Sequence, residues 1–470
     1  MRLPEYAIHD AGLPVIGQRD LAALYFLTKR DGERMSRVAR GSLSEKQMGY
    51  LLIAPALVII LIIAIWPVVR SFWISLYDIR LNDPTKNEIH RAYGLDMERY
   101  VSTLPNLLRY LNREAGTAEG AARQQLLGIK QEIEQMRDSL NQVGGIATRY
   151  QQIDQLLLEF KPIPAEIKYV DLSDSQTDSV RKTLLDVESR LLTLMNQKLL
   201  QKPEGAIGVI QGISSSLIEP NYVGFTYYKQ FLLDSRLWAA LSNTFIFTVI
   251  SVSIELVLGL WIALLINRQF KGRGLVRAAV LVPWAVPTVI SALIWKFLYD
   301  GQNGIVAFLF ERAGLLSDMG ILLTTKGGAM FSVIFADVWK TTPFMALLLF
   351  AGLQTIPQNL YEAAEVDGAS KTEQFFRITL PLLKSSILVA LLFRTLDAFR
   401  VFDLIYALTG GGPANSTETI SVFAYKTMFA QMSFGEGSAL AVILFLCVAL
   451  ISIGYIKILG AELIGESKGR

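Results

Sequence analysis

The chain has 470 residues, 52% of them hydrophobic and 19% charged, with a mean hydropathy of +0.37. That balance excludes an ordinary soluble chain and suits an integral membrane protein with polar parts. A formal charge of +3 carries no footprint for nucleic acid, and the single cysteine, Cys447, excludes an internal disulfide.

Residues 1–47 are mostly polar and carry Lys29, Arg30, Arg34, Arg37, Arg40 and Lys46. They read as a cytoplasmic tail without a cleavable leader, and the lack of interleaved aromatics makes the basic run a membrane-orienting flank. Six segments then reach the ~20 apolar residues needed to cross a ~30 Å hydrocarbon layer. They lie near 50–76, 237–266, 276–299, 329–353, 384–408 and 437–459. The predicted organisation is a tail (1–47), a first membrane helix (48–76), a polar insert (77–220), a transmembrane core (221–460) and a short tail (461–470). Arg268, Lys271, Arg273 and Arg277 fill one connection, and Lys371, Arg377 and Lys384 fall in or beside the loop 354–383. With Lys468 and Arg470 at the C-terminus, all of these fall on one side if all six segments span. That predicts both termini in the cytoplasm and the insert outside.

The insert is patterned for helices. Leu126, Ile129, Ile133, Met136, Leu140 and Val143 step by three and four, a heptad seam that Gly144-Gly145 breaks. A second seam runs through Tyr150, Ile153, Leu157 and Phe160 until Pro162 and Pro164 stop it. A third runs through Val180, Leu184, Val187, Leu191 and Leu194. Three amphipathic helices joined by breakers predict an antiparallel hairpin or small bundle, coiled-coil-like, serving as a spacer or docking arm.

The loop 354–383 carries more information. Pro357 suits the start of a helix, residues 358–366 are good helix formers, and Gly368 suits a left-handed stop. Ser370 with Glu373 reads as a capping box for a second helix. Glu362-Ala363-Ala364, then Gly368, then Ile378-x-Leu380-Pro381 fix a spacing that resembles the coupling loop of bacterial ABC importer permeases. Two further fragments resemble the carbohydrate-uptake, MalF-like branch of that family. One is Leu408-Thr409-Gly410-Gly411-Gly412-Pro413, with Phe402-Asp403 before it and Thr417 and Thr419 after. The other is Tyr222-Val223-Gly224-Phe225 with Tyr228, Leu232-Leu233-Asp234 and Trp238-x-x-x-Leu241-x-Asn243-Thr244.

The resemblance covers 50–76 and about 220–460; residues 82–220 and the N-terminal tail depart from the family core. It implies an all-α integral membrane protein with the six-helix core of type I ABC importer permeases, carrying an extracytoplasmic helical insert. The implied function is translocation of a sugar, a di- or oligosaccharide or a polyol, across the cytoplasmic (inner) membrane of a prokaryote. The implied partners are an ATPase subunit, as a homodimer, a second permease subunit and an extracytoplasmic solute-binding protein, besides membrane lipid. Glu362, Ala363, Ala364, Asp367 and Gly368 are then the ATPase-coupling residues.

Ionisable residues inside predicted spans cost about 2.5–3.5 kcal/mol each on insertion scales, so they face the bundle interior or a wet cavity. Arg394, Asp397 and Arg400 in the fifth span, and Asp337, Trp339, Lys340 and Thr341 in the fourth, stand out. By resemblance, Thr341, Phe344, Arg394, Asp397 and Ala398 fall where the family holds sugar; with Asp337, Trp339 and Arg400 they form the candidate substrate pathway. The alternative is that the charges are internal staples between helices. There is no phosphate-binding loop, since Gly460 to Gly465 continues Glu466-Ser467 without the lysine, so ATP hydrolysis is assigned to a separate subunit and the chain is not an enzyme. No cofactor is expected; His9 and His90 are isolated, read as solvated, and suggest no metal or catalytic cluster. A receptor with an external helical domain and an ion-coupled secondary transporter remain as other readings.

Overall fold

A computed structural model describes residues 44–468, with the side chains of 44 and 46–458. The basic tail, His9, and the Lys468 and Arg470 side chains lie outside that description. The chain divides after Val69 into two units. Helix α1 (Lys46–Ile74) opens the described part, and none of its apolar stretch is buried. Ser44 caps it, accepting from the Gln47 amide while the Gln47 side chain accepts from the Ser44 amide.

The insert is a bundle around its own apolar core. It comprises β1 (Gly94–Asp96), α2 (Met97–Thr117), α3 (Gly120–Asn141), α4 (Ile146–Leu158), β2 (Tyr169–Asp171), α5 (Asp174–Asn196), α6 (Pro203–Ser214) and β3 (Leu217–Ile218). The strands form an antiparallel sheet in the order β2-β1-β3, with Leu95 opposite both Val170 and Leu217. Leu126, Ile129, Ile133, Met136 and Leu140 are buried on α3, and Val180, Leu184, Val187, Leu191 and Leu194 on α5. Both seams therefore pack into one core. The second seam ends early. Residues 161–164 hold two prolines, α4 stops at Leu158, and Phe160 turns to φ 53° and stands 96% exposed. The sequence reading also missed α2, which continues through Pro105, α6, and the small sheet. His90, expected in solvent, is half-buried with its ring edge-on to Tyr169 at 5.4 Å, and burial lowers its pKa.

Both ends of the insert meet at one root. Tyr77 and Tyr222 form an antiparallel bridge, and the Asp78 amide donates to the Asn221 carbonyl at 2.8 Å. The Asn221 side chain donates to the carbonyls of Asp78 and Glu88 and accepts from the His90 amide.

Beyond the root come α7 (Thr226–Leu233), α8 (Ser235–Asn267), α9 (Arg273–Ala285), α10 (Thr288–Leu298), α11 (Lys326–Leu353), α12 (Gln358–Val366), α13 (Lys371–Phe399) and α14 (Phe434–Ile458). Among the described residues, α1, α8, α11, α13 and α14 are long and apolar enough to cross a membrane. The segment expected as the span 276–299 is built of two helices, α9 and α10, bent by 89°. Val286 precedes Pro287, and the proline ring pushes it out of the helical region to ψ 131°. Among the described residues, five helices are therefore long and apolar enough to cross a membrane, or six if the bent pair counts as one. The fifth expected span also shifts. Its helix starts at Lys371, passes through a π-segment at Phe375–Thr379 and ends at Phe399, so Asp403 opens a separate short helix. α8, α11 and α13 pack on one another. A Cβ at Gly259 would lie 2.7 Å from the Met345 side chain, so α8 and α11 cross too closely there for a larger residue.

Candidate functional site

Asp337, Thr341 and Phe344 on α11 are four and seven residues apart, which puts them on one face of the helix. Facing them are Glu255 on α8 and Arg394 on α13. Glu255 is fully buried and Arg394 is 2% exposed. The Arg394 guanidinium donates through Nε and Nη2 to the Glu255 carboxylate, through Nη2 to Asp337, and through Nη1 to Asp397 at 3.4 Å. The Thr341 hydroxyl lies 2.7 Å from the Glu255 carboxylate and 2.7 Å from the Asp337 carbonyl. Three membrane helices are thus tied by one guanidinium between two buried carboxylates. Such pairs survive in a low-dielectric interior only when each partner has its counter-charge and hydrogen bonds.

The outward part of the cluster is different. Asp397 and Arg400 have side chains 57% and 68% exposed and pair with each other at 3.4 Å. Phe344 stacks on Trp284 of α9, with centroids 5.8 Å apart and planes within 13°. Lys340 is buried and places its ammonium 2.6 Å from the Val286 carbonyl and 3.4 Å from that of Trp284. These are backbone acceptors at the break between α9 and α10, so the lysine supplies hydrogen bonds that the interrupted helix cannot.

Of the residues singled out from sequence, Asp337, Thr341, Arg394 and Asp397 meet in this cluster, and Phe344 and Arg400 flank it. Trp339 does not join them. Two residues from Asp337, it points about 200° around the helix and packs edge-on against Trp295 at 5.5 Å. Ala398 is fully buried. Glu255 was missed, although it is the single ionisable residue between Arg236 and Arg268 and stands in the middle of an apolar run. That isolation is the signal that could have found it.

The loop after α11 follows its local chemistry. Pro357 sits at the N-cap, one place before the first helical residue, and α12 runs over Gln358–Val366. Gly368 takes φ +78°, and the Ala369 amide donates to the Ala364 carbonyl at 2.8 Å, closing the helix. Ser370 and Glu373 form the capping box that starts α13. The Tyr361 hydroxyl meets the Thr379 hydroxyl at 3.0 Å and ties α12 to α13. Glu362, Ala363, Asp367 and Gly368 are exposed and Ala364 is half-buried. Val366, also unforeseen, projects 88% exposed. Lys371 pairs with Glu365 and holds its carboxyl below the ordinary glutamate value.

At the glycine-rich loop 408–419, Glu418 is buried and accepts from Arg236 at 2.8 and 3.0 Å and from Lys426 at 2.8 Å. Asn243 donates to the carbonyls of Asn415 and Glu418, fastening the loop to α8. Among the described residues, no group of three His, Cys, Asp or Glu could hold a metal ion.

Residues 255–463, which contain the ionic cluster, the exposed loop and the glycine-rich turn, match the family described as binding-protein-dependent transport system inner membrane component. Over 240 residues the chain is 48% identical to the trehalose/maltose transport system permease protein MalF of Thermococcus litoralis, covering 51% of this chain and 80% of that protein. The chain belongs to this family. The permease is also 44% identical over 260 residues to the trehalose transport system permease protein SugA of Mycobacterium tuberculosis, covering 54% of this chain and 82% of the relative. It is 36% identical over 303 residues to the sulfoquinovosyl glycerol transport system permease protein SmoG of Agrobacterium fabrum, covering 64% and 95%. The insert, α2 to α6, lies outside the matched range 255–463.

Proposed function

We propose that this permease is the membrane-spanning subunit of an ATP-driven importer for a sugar, a di- or oligosaccharide or a polyol. The observation that carries this is α12: a short, exposed, acidic helix between two membrane-length helices, in a chain of a binding-protein-dependent transport family. Closed at its C-terminal end by Gly368 and tied to α13 by the Tyr361–Thr379 hydroxyl pair, it transmits a push from outside to α13. Glu362, Ala363, Ala364, Asp367 and Gly368 form its docking surface. The alanines admit a partner closely, and the carboxylates offer charge-assisted hydrogen bonds to a basic group.

In this reading the partners are two copies of an ATPase subunit, a second permease and an external solute-binding protein. Arg268, Lys271, Arg273 and Arg277 share the cytoplasmic side with α12 when the bent pair α9–α10 counts as one crossing. Six crossings then leave both termini in the cytoplasm and the insert outside. The solute route runs past Thr341, Phe344, Asp397 and Arg400, with Asp337 and Arg394 behind them. Exposed charges within an apolar bundle favour a water-filled passage over lipid. The sugar class draws support from the solutes that the relatives are named for.

In the reconstituted transporter, Glu362→Lys is expected to cut ATP-dependent sugar uptake at least about tenfold, the loss of one charge-assisted contact of roughly 1.5–3 kcal/mol. Wild-type uptake in that variant overturns the coupling role. Sugar uptake that persists without any ATPase overturns the whole reading.

A further inference from the structure

The polypeptide between the insert and α8 carries an apolar surface that the core leaves uncovered. α7 is a short helix with distinct faces. Tyr227 and Phe231, four apart, are buried in one cluster with Leu237 of α8 and Leu440 of α14. Thr226 and Gln230, also four apart, are exposed and polar. Phe225 and Leu232, seven apart, share a third face, and both are more than half exposed. Lys229 and Leu233, both exposed, lie between the polar and apolar faces.

The apolar face continues on either side. The Trp238 indole donates to the Leu232 carbonyl at 2.9 Å, and Trp238 shares a face of α8 with Phe245 and Val249, all exposed. That face belongs to a helix of membrane length. In the other direction, the Phe225 ring lies 5.8 Å from that of Tyr228, whose hydroxyl meets the Ser75 hydroxyl at 2.6 Å. An aromatic row then runs from Tyr222 to Tyr77 to Trp73, with centroids 5.3 and 5.5 Å apart. The Arg91 guanidinium sits 5.2 Å over the Trp73 ring. Rings with an apolar body and a polar tip, gathered with cations at the end of a span, suit the layer where hydrocarbon meets headgroups.

We propose that α7 and this aromatic row form a phospholipid-binding surface, so that the root of the insert lies in the interfacial layer of the bilayer. Phe225 and Leu232 enter among the upper acyl carbons, while Arg91 and Lys229 reach the headgroup phosphates. Thr226 and Gln230 stay in water. The occupant is lipid, because the patch is continuous with the exposed face of α8. The placement of Lys229 agrees: its stem can lie along Phe225 and Leu233 while the ammonium rises to the phosphate level.

The test is power-saturation spin-label spectroscopy on the assembled transporter in nanodiscs containing phosphatidylglycerol. Cys447→Ser removes the native thiol, and single labels are placed through Phe225→Cys, Leu232→Cys and, as the aqueous control, Gln230→Cys. All three of those side chains are exposed, so labelling disturbs no packing. Labels at 225 and 232 are expected ~5–10 Å into the boundary of headgroups and acyl chains, open to oxygen and shielded from a soluble nickel chelate. The label at 230 is expected to show the reverse. Adding Arg91→Glu and Lys229→Glu is expected to shift the 225 label towards water, and an unchanged depth overturns the role given to the two cations. Nickel access at 225 and 232 equal to that at 230 overturns the lipid surface. Shielding from both reagents overturns it as well, since a protein partner then covers the patch.

Discussion

The insert and the membrane core are built from the same helices turned inside out. On α3, Leu126, Ile129 and Ile133 are buried while Arg123, Gln124 and Gln125 face outward. On α8, Thr244, Thr248, Ser251 and Glu255 are buried while Phe245, Ile250 and Val257 face outward. Water drives the first arrangement, since each buried apolar side chain contributes ~1.5–3 kcal/mol. Lipid removes that drive, because hydrocarbon is as apolar as leucine, and the core is held instead by close packing and polar ties. The comparison teaches that a burial pattern reports the surrounding solvent before it reports anything about function.

The sharpest way to break the comparison is at Arg394. Arg394→Met strands Glu255 and Asp337 without their counter-charge, and the purified permease is expected to lose ~3–5 kcal/mol in detergent thermal melts. Adding Glu255→Gln and Asp337→Asn should return much of that loss; no recovery would mean that the cluster is not an electrostatic tie. In the insert the largest single effect should come from emptying the apolar core. Ile133→Ala is expected to cost ~2–5 kcal/mol and to speed proteolysis within 97–218 of the intact chain. Val257→Ala, on the outward face of α8, should change the melt little, and equal costs for the two would erase the contrast.

The glycine-rich loop gives a pH reading of intermediate size. Burial pushes the Glu418 carboxyl up, but hydrogen bonds from Arg236 and Lys426 outweigh it and hold the carboxyl below the ordinary glutamate value. Its tie is therefore complete above the unfolded value of about 4.3 and is lost as pH falls through the lower folded value. Hydrogen-exchange protection of 409–419 should hold at pH 5 and fail only below the ordinary glutamate value of about 4.3; a loss between pH 7 and 5 would contradict the pairing. The smallest effect belongs to Phe160, whose φ of 53° is unfavourable for a side chain that touches little. Phe160→Asn should raise insert stability by up to about 1 kcal/mol in the same proteolysis assay.

Much of this architecture was legible because its causes are local. The capping box at Ser370 and Glu373, the left-handed Gly368 and the seams of α3 and α5 each follow from a few neighbouring residues. The bend between α9 and α10 was equally local, in Val286-Pro287, yet a window average of apolarity hides a single extended residue. Other features were beyond reach in one sequence. Glu255 and Arg394 are 139 positions apart, and nothing in either neighbourhood names the other. Trp339 was drawn into the pathway by proximity to Asp337 along the chain, where helical geometry turns it away. Phe160 continued a periodicity that the helix itself did not.

The root of the insert has a consequence for how such a chain changes over time. Because Tyr77 and Tyr222 are bridged and Asp78 is bonded to Asn221, the two ends of the insert leave the core side by side. Whatever is threaded between them, a tight turn or a whole bundle, needs only termini that lie a few ångströms apart. The site is a splice point, where an inserted module can be exchanged without redrawing the machinery it joins.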